Sequence, residues 1–414
     1  MKILMISHSD TRGGAARAAY RLHKGLRLKG LDSRMLVQQK FSGDINVSGP
    51  TTKIQKAAAI ARLGMDRLPV ELYRNRTKSL FSPAWVPFSG ILKKIQNIDP
   101  DIVHLHWIAG GMLRIEDLAL IKKPVLWSLH DMWAFTGGCH TDEGCGKYTA
   151  NCGKCPVLGS VKDYDLSRQV YNRKMRAYAG MPGLTIAGLS SWSAECALGS
   201  TLLSGKKITN LPNPIDLSTF KPVDKKTARN ILNLPESKKL VCFGALDALD
   251  VPNKGFSNLV PALRKINRDD IELIIFGGDR PLNPPDFGFP ARYLGNFYDD
   301  ISLRLLYSAS DLTIVPSFQE NLSNVIMESM ACGTPVAAFK IGGNNDMVEH
   351  KNTGYLAEPY EASDLARGIE WILDFPSPGA LSNNSFEKIK SRFELNKVTG
   401  QYLELYEDML GRQT

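Results

Sequence analysis

The sequence predicts an α/β protein built from two doubly wound parallel-sheet domains. At 414 residues the chain is too long for one hydrophobic core, so two domains of about 200 residues are expected. Apolar runs of strand length alternate with helical stretches, which implies parallel sheets covered on both faces. The alternation stops at a proline-rich connector, LPNPIDLSTFKPV (Leu211–Val223), and then restarts.

The first alternation opens with KILMIS, a short apolar run, followed by the loop HSDTRGGAAR. AARAAYRLHKGLRLKG has helical period and ends at Gly30, and SRMLVQQ is the next strand. DIVHLHW, PVLWSLH and TIAGLS continue the strand series. After the connector come KLVCFGA, IELIIFGG, ARYLGN, DLTIVPS and TPVAAF, with helical stretches between them. The end of the chain has helical spacing at Phe393, Val398, Tyr402, Leu405 and Met409. The expected boundaries are 1–210 for the first domain, 211–222 for the linker and 223–392 for the second domain. Residues 393–414 form a last helix returning to the first domain.

Hydrophobic content of 43% and charged content of 22% are ordinary for a globular protein. Net charge is +9, which suits an anionic partner or simply solubility. MKILMISHSD lacks the features of a signal peptide, and no stretch approaches the ~20 apolar residues of a membrane span. The expected location is the cytoplasm, with a peripheral position at the inner face of the membrane as an extension of that reading. Residues 51–96 motivate it: they mix Lys and Arg with Leu, Ile, Phe and Trp and hold hardly any acid. Such a stretch suits an anionic membrane surface; the alternative is a helix pair that covers the first sheet and solvates its lysines.

The most informative segment is FQENLSNVIMESMACGTPV (Phe318–Val336). The strand DLTIVPS ends at Pro316–Ser317, and a helix is expected to start near Leu322 or Ser323. It should run to Ala331 or Cys332, with Gly333 as a left-handed terminator. Glu320 then lies in a loop at the carboxyl end of a strand, where open α/β sheets bind ligands. Glu328 lies within the helix. Two helical residues eight apart would sit ~80° from each other, so one carboxylate before the helix and one on it is the simpler arrangement. Backbone N–H groups of Asn321 to Asn324 would face an anion between them.

E-x7-E after a strand, followed by MACGTPV, resembles the signature of retaining glycosyltransferases of the GT-B fold, in the large family-4 group. The resemblance implies two Rossmann-like domains facing across a cleft. It implies a nucleoside-diphosphate sugar donor bound mainly by the second domain, and a glycan or lipid-linked saccharide acceptor bound mainly by the first. Carried over, Glu320 lies near the donor sugar, Glu328 holds the ribose hydroxyls, and Asn321 with Leu322 binds the diphosphate through backbone amides.

Other segments resemble the same family. TRGGAAR places Gly13 and Gly14 against the donor phosphates. LHDMW puts His130 at a strand end, where the family often has a histidine close to the donor sugar; Asp131 is a second candidate there. FGALDALDVPNKGF resembles the phosphate-contact segment, with Gly244 at its strand end and Lys254 pairing with the diphosphate. The family's usual arginine is absent, since Ala245 and Leu246 occupy that vicinity. RYLGNFYDD places Leu294 and Gly295 where the family reads the nucleobase. The catalytic group is therefore His130, Glu320 and Lys254, and no cofactor or catalytic metal is implied.

Cys139, Cys145, Cys152 and Cys155 fall within 17 residues and end in C-x2-C. Clustered thiols in a cytoplasmic chain suit a structural tetrahedral zinc site, with His140 as a substitute ligand. Free thiols and an iron–sulfur or redox role are the alternatives. HDMWAFTGGCH with the cysteines after it resembles family-4 enzymes associated with capsule and exopolysaccharide clusters. The function expected is transfer of a hexose-type sugar in bacterial-type surface polysaccharide assembly. Two rivals stay open: a sugar-nucleotide epimerase of the same fold, and a non-enzymatic basic binding protein. Nucleic acid is not an expected partner, and a dinucleotide oxidoreductase is disfavoured because no G-x-G-x-x-G follows the first strand.

Overall fold

The computed structural model describes residues 1–244 and 252–411. The chain divides into two compact units. Met1–Pro214 with Asn396–Thr414 forms unit 1, and Ile215–Leu395 forms unit 2.

Unit 1 is built on seven strands: β1 (Lys2–Ser9), β2 (Asp32–Gln39), β3 (Val47–Ser48), β4 (Ile102–Leu105), β5 (Val125–Leu129), β6 (Leu184–Gly188) and β7 (Lys207–Asn210). They form one sheet in the order β3-β2-β1-β4-β5-β6-β7, and every ladder is parallel. Its helices are α1 (Gly14–Leu28), α2 (Lys53–Glu71), α3 (Ile91–Ile98), α4 (Ile115–Leu118), α5 (Leu166–Ala179) and α6 (Ser191–Leu198). The period-2 geometry of a strand sends alternate side chains to opposite faces. In β1, Leu4 and Ile6 enter one core, while Ile3 and Met5 enter the other. Both faces are therefore dry, as a parallel sheet requires.

Unit 2 opens with helix α7 (Lys225–Ile231) and carries β8 (Lys239–Gly244), β9 (Ile271–Phe276), β10 (Ala291–Tyr293), β11 (Leu312–Val315), β12 (Val336–Phe339) and β13 (Gly354–Ala357). The order is β10-β9-β8-β11-β12-β13, again with parallel ladders. Counted within the unit this is the 3-2-1-4-5-6 order of a doubly wound fold. Helices α8 (Phe256–Leu263), α9 (Asp300–Ala309), α10 (Asn324–Ala331), α11 (Asn344–Met347), α12 (Ala362–Leu373) and α13 (Pro378–Phe393) complete the unit. The last helix, α14 (Leu395–Met409), buries Val398, Tyr402 and Tyr406 in the unit 1 core that contains Met5 and Leu126.

The strand runs read from the sequence correspond to β1, β2, β4, β5, β6 and β8 to β12. β3, β7 and β13 are the sheet edges or lie at them, and are two to four residues long. KITN in β7 is largely polar and partly exposed, so it has no apolar run to announce it.

Helix α2 is unusual. Ala59, Asp66 and Val70 are buried on its inner face. Ile54, Met65, Leu68 and Leu72 are exposed on the opposite face, Ile54 at 81% and Leu72 at 82%. At about 100° per residue, positions 54, 58, 61, 65, 68 and 72 form one stripe. Lys53, Lys56 and Arg67 are exposed on the flank between this stripe and the buried face. Among the described residues, no helix is long and apolar enough to cross a membrane.

Candidate active site

In unit 2 the candidate residues gather at the carboxyl ends of β8 and β11. The backbone forces them together. Asn253 accepts from the Phe318 N–H at 2.9 Å through its carbonyl, and its side-chain amide donates to the Gln319 carbonyl at 2.7 Å. Gly255 adopts φ +72°, and a Cβ there would stand 1.6 Å from the Pro316 carbonyl oxygen. Only glycine fits this crossing. Lys254, held between these two residues, places its Nζ 3.2 Å from Glu320 Oε2. Both side chains line a narrow crevice with Phe243, Gly244, Ser317 and Ser323. Gly244 is required here because a Cβ would meet the Phe276 carbonyl at 2.2 Å.

Glu320 is fixed from its other side as well. Its carbonyl accepts from the Gly343 N–H at 3.1 Å, and Gly342, at φ +46°, leaves room for that carbonyl. Helix α10 is capped by Ser323, whose side chain accepts from the Ile326 N–H. Asn321 and Leu322 thus precede the helix, and its first-turn amides belong to Asn324, Val325 and Ile326. Gly333 takes φ +77° after the helix, as a terminator should. Glu328 is buried at 3% exposure, and its Oε2 accepts from the Tyr307 hydroxyl at 3.3 Å. The Leu294 N–H is used by the Ile275 carbonyl and the Gly295 carbonyl by the Gly277 N–H, each at 2.8 Å. The segment around Ala245 and Leu246, where the family's arginine was sought, lies outside the described residues.

In unit 1 the crest of the sheet carries imidazoles. Gly13 caps α1 with φ +92°, and a Cβ there would have nothing within 4 Å, while Gly14 is the first helical residue. His130 follows β5 and stands beside His106, which follows β4; His106 Nδ1 and His130 Nε2 are 2.9 Å apart. Both line a narrow pocket with Trp107, Trp127, Asp131 and Trp133. Burial lowers His130 to about 4, against the opposing pull of Asp131. Burial also pushes His106 well below its ordinary value. Asp131 is raised by burial, yet His140, the Trp133 N–H and the Trp107 indole together hold it below the usual range. The sequence reading missed His106 and Trp107. Their signal was present in DIVHLHW, where polar residues end an otherwise apolar strand.

The cysteine loop does not assemble the expected zinc set. All four cysteines are free thiols, and no group of three His, Cys, Asp or Glu side chains among the described residues is placed to hold a metal ion. Cys139, Cys152 and Cys155 instead pack as apolar residues in the unit 1 core, and Cys145 is half-buried. Burial raises all four thiols, Cys152 to about 11. The Cys152 sulfur accepts from the Gly137 N–H at 3.1 Å. His140 is committed elsewhere: Nδ1 to Asp131 at 2.6 Å and Nε2 to Ser82 at 2.9 Å, with its ring stacked on Trp107 and Trp133.

Residues 237–374 match the family described as Glycosyl transferases group 1. The D-inositol 3-phosphate glycosyltransferase 2 of Catenulispora acidiphila is 30% identical over 180 residues, which is 40% of this chain and 42% of that protein. The D-inositol 3-phosphate glycosyltransferase of Pseudarthrobacter chlorophenolicus is 29% identical over 290 residues, 67% of this chain and 63% of that protein. The chain thus spans about half the length of the curated relatives it matches. Sucrose-phosphate synthase from Thermosynechococcus elongatus superposes over 100% of both chains, with a TM-score of 0.71 and 21% identity. Anabaena Alr3699/HepE in complex with UDP and glucose superposes with a TM-score of 0.64 and 18% identity, over 99% of this chain and 100% of that one. The chain therefore has the GT-B glycosyltransferase fold and carries, over residues 237–374, a region matching the group 1 glycosyl transferases.

Proposed function

We propose that the protein is a retaining glycosyltransferase that moves a hexose-type sugar from a nucleoside-diphosphate donor to a glycan or lipid-linked saccharide acceptor. The observation that carries this reading is the Lys254–Glu320 pair in the unit 2 crevice, inside the region that matches the group 1 family. A lysine beside a carboxylate at a strand end is poised for exchange. The donor diphosphate competes with Glu320 for the Lys254 ammonium, and Glu320 is released toward the sugar. Lys254 and the first-turn amides of α10 then stabilise the charge that builds on the leaving diphosphate. Glu328 holds the ribose hydroxyls, a role that requires its carboxylate to leave Tyr307 or to share it. Gly13 and Gly14 admit the phosphates close to backbone, and His130 lies near the sugar.

A second partner is an anionic membrane surface, supported by the exposed apolar stripe of α2 and the basic residues exposed on the helix flank next to it. It agrees with a lipid-linked acceptor and with work at the inner face of a membrane, in surface polysaccharide assembly.

The test is a thermal-shift panel of UDP, GDP, ADP and their sugars on the wild type and on Glu328→Ala. A ligand at 100 times its Kd adds about 2.7 kcal/mol to the unit that binds it. One diphosphate should stabilise the wild type and much less the variant. No response to any nucleotide would sink the reading.

A further inference from the structure

Three histidines stand side by side in unit 1: His104 on β4, His106 just past it, and His130 past β5. The proton positions along this row can be followed from an end where polarity is fixed. The Leu211 carbonyl only accepts, so the Tyr402 hydroxyl donates to it at 3.3 Å. Tyr402 has one proton, so Ser128 Oγ donates to Tyr402 at 3.2 Å. The Ser128 proton is then used, and its oxygen accepts from His104 Nε2 at 2.8 Å. Neutral His104 has no proton left for Nδ1, which accepts from the Tyr406 hydroxyl at 2.8 Å. Its ring packs on His106 with centroids 4.2 Å apart.

His106 is pinned by its backbone. Its N–H donates to the Ile6 carbonyl at 2.9 Å, and its own carbonyl accepts from the Trp127 indole at 3.0 Å. The residue as a whole is only 3% exposed. Nδ1 faces His130 Nε2 at 2.9 Å, whereas Nε2 is buried with no hydrogen-bond partner. A neutral imidazole carries one proton. Placing it on Nε2 would strand a buried N–H donor, the rarer and more costly kind of orphan. Placing it on Nδ1 gives it to His130 and strands only a lone pair.

We propose that His106 is a positioning residue that donates from Nδ1 to His130 Nε2 and so holds His130 with its own proton on Nδ1. His130 then presents a hydrogen-bond donor to a ligand oxygen, a sugar hydroxyl or a phosphate, and cannot accept a proton at that atom. The consequence for ligand binding rests on the glycosyltransferase reading; the tautomer itself does not.

The experiment is long-range 1H–15N correlation on the full chain labelled with 15N-histidine at neutral pH, with His130 assigned by a His130→Gln variant. The expected spectrum has His130 Nδ1 protonated and Nε2 bare. In His106→Phe the donor is gone, and His130 should revert to the Nε2-protonated form that free imidazole prefers. His106→Gln, whose amide can donate, should keep the wild-type pattern. A wild-type His130 protonated on Nε2, or a His106→Phe spectrum unchanged from wild type, overturns the proposal. With a donor found by the thermal-shift panel, kcat for His106→Phe should fall roughly 10- to 100-fold at an unchanged donor KM, with part restored in His106→Gln. A wild type that transfers no sugar defeats the functional reading while the spectra still decide the tautomer.

Discussion

The two units share a strand order and differ in what stands on the strand ends. Unit 2 presents a lysine, a carboxylate and glycines that let backbone segments touch: Gly244, Gly255 and Gly342. Unit 1 presents neutral imidazoles and indoles: His106, His130, Trp107 and Trp133. A parallel sheet supplies the same scaffold twice, and the chemistry resides in the few residues where each strand stops. On the proposed reading, unit 2 takes the anion and the sugar of the donor. On the same reading, the aromatic faces and imidazoles of unit 1 face the acceptor.

If this division is correct, the largest effect belongs to Lys254. Lys254→Ala should lower kcat by ~10²–10³, the loss found when one charge-stabilising donor is removed from a developing anion. Glu320→Gln should remove the ion pair while leaving Lys254 free, so diphosphate affinity should hold or rise even as transfer falls. Thermal stability should change by less than about 1 kcal/mol in both, because the pair is partly exposed. Initial-rate measurements with donor titration separate the two variants. Equal losses of donor affinity in both would show that Lys254 and Glu320 act only as a structural pair.

The next effect separates the units by pH. Six of the seven histidines lie in unit 1, and burial depresses His104 to about 3, His23 and His130 to about 4, and His106 strongly. Below pH 6.5 the unfolded chain binds protons that folded unit 1 refuses, so stability rises with pH in that window and is lost as pH falls through it. At pH 5 the loss is roughly 2 kcal/mol for each such imidazole. The depressed carboxylates of unit 2, such as Glu349 and Asp364, lose their contribution only below their unfolded values near 4. Hydrogen exchange at pH 7 and pH 5 should therefore show unit 1 opening while unit 2 stays protected. Equal loosening of both units would remove the distinction.

Much of this contrast was legible in the sequence, and the unread part has a physical cause. Ten of the thirteen strands were visible because a parallel strand that is dry on both faces reads as an unbroken apolar run, and the three short ones at the edges, β3, β7 and β13, were not. The Ser323-to-Gly333 helix was visible because its cap and terminator are chemically distinctive. Glu320 and Lys254 were legible from their segments, but their contact joins residues 66 apart in the chain and depends on the Gly255–Pro316 crossing. The cysteine cluster misled for a related reason. Spacing brings four thiols near one another, but burial decides whether they ionise, and here three of them fill core volume as apolar side chains. His106 went unread because a histidine inside an apolar run looks structural until its neighbour is known.

A third test compares two glycines. Gly255→Ala drives a Cβ into the Pro316 carbonyl and also holds a residue at φ +72°, so unit 2 should lose more than the ~1–3 kcal/mol of backbone strain alone. Gly13→Ala meets open space, and its cost in unit 1 should be confined to the strain of φ +92°. Denaturant melts of the two variants measure this directly. If Gly13→Ala binds donor normally, the open side of Gly13 is not a phosphate approach.

The smallest effect on stability should come from α2, and that is what makes it informative. Ile54, Leu68 and Leu72 already face solvent, so Leu68→Ser with Leu72→Ser should change the unfolding free energy by no more than about 0.5 kcal/mol. The same pair should abolish sedimentation with vesicles of anionic phospholipid if the stripe inserts into a membrane surface. Lys53→Glu with Lys56→Glu should instead weaken binding in a salt-dependent way, since each basic residue near such a surface contributes ~1 kcal/mol that is screened within a Debye length. A stripe that merely tolerates water would show neither response, and the basic charge of unit 1 would then serve solubility alone. Binding lost with the serines but unaffected by salt would point to an apolar protein partner in place of lipid.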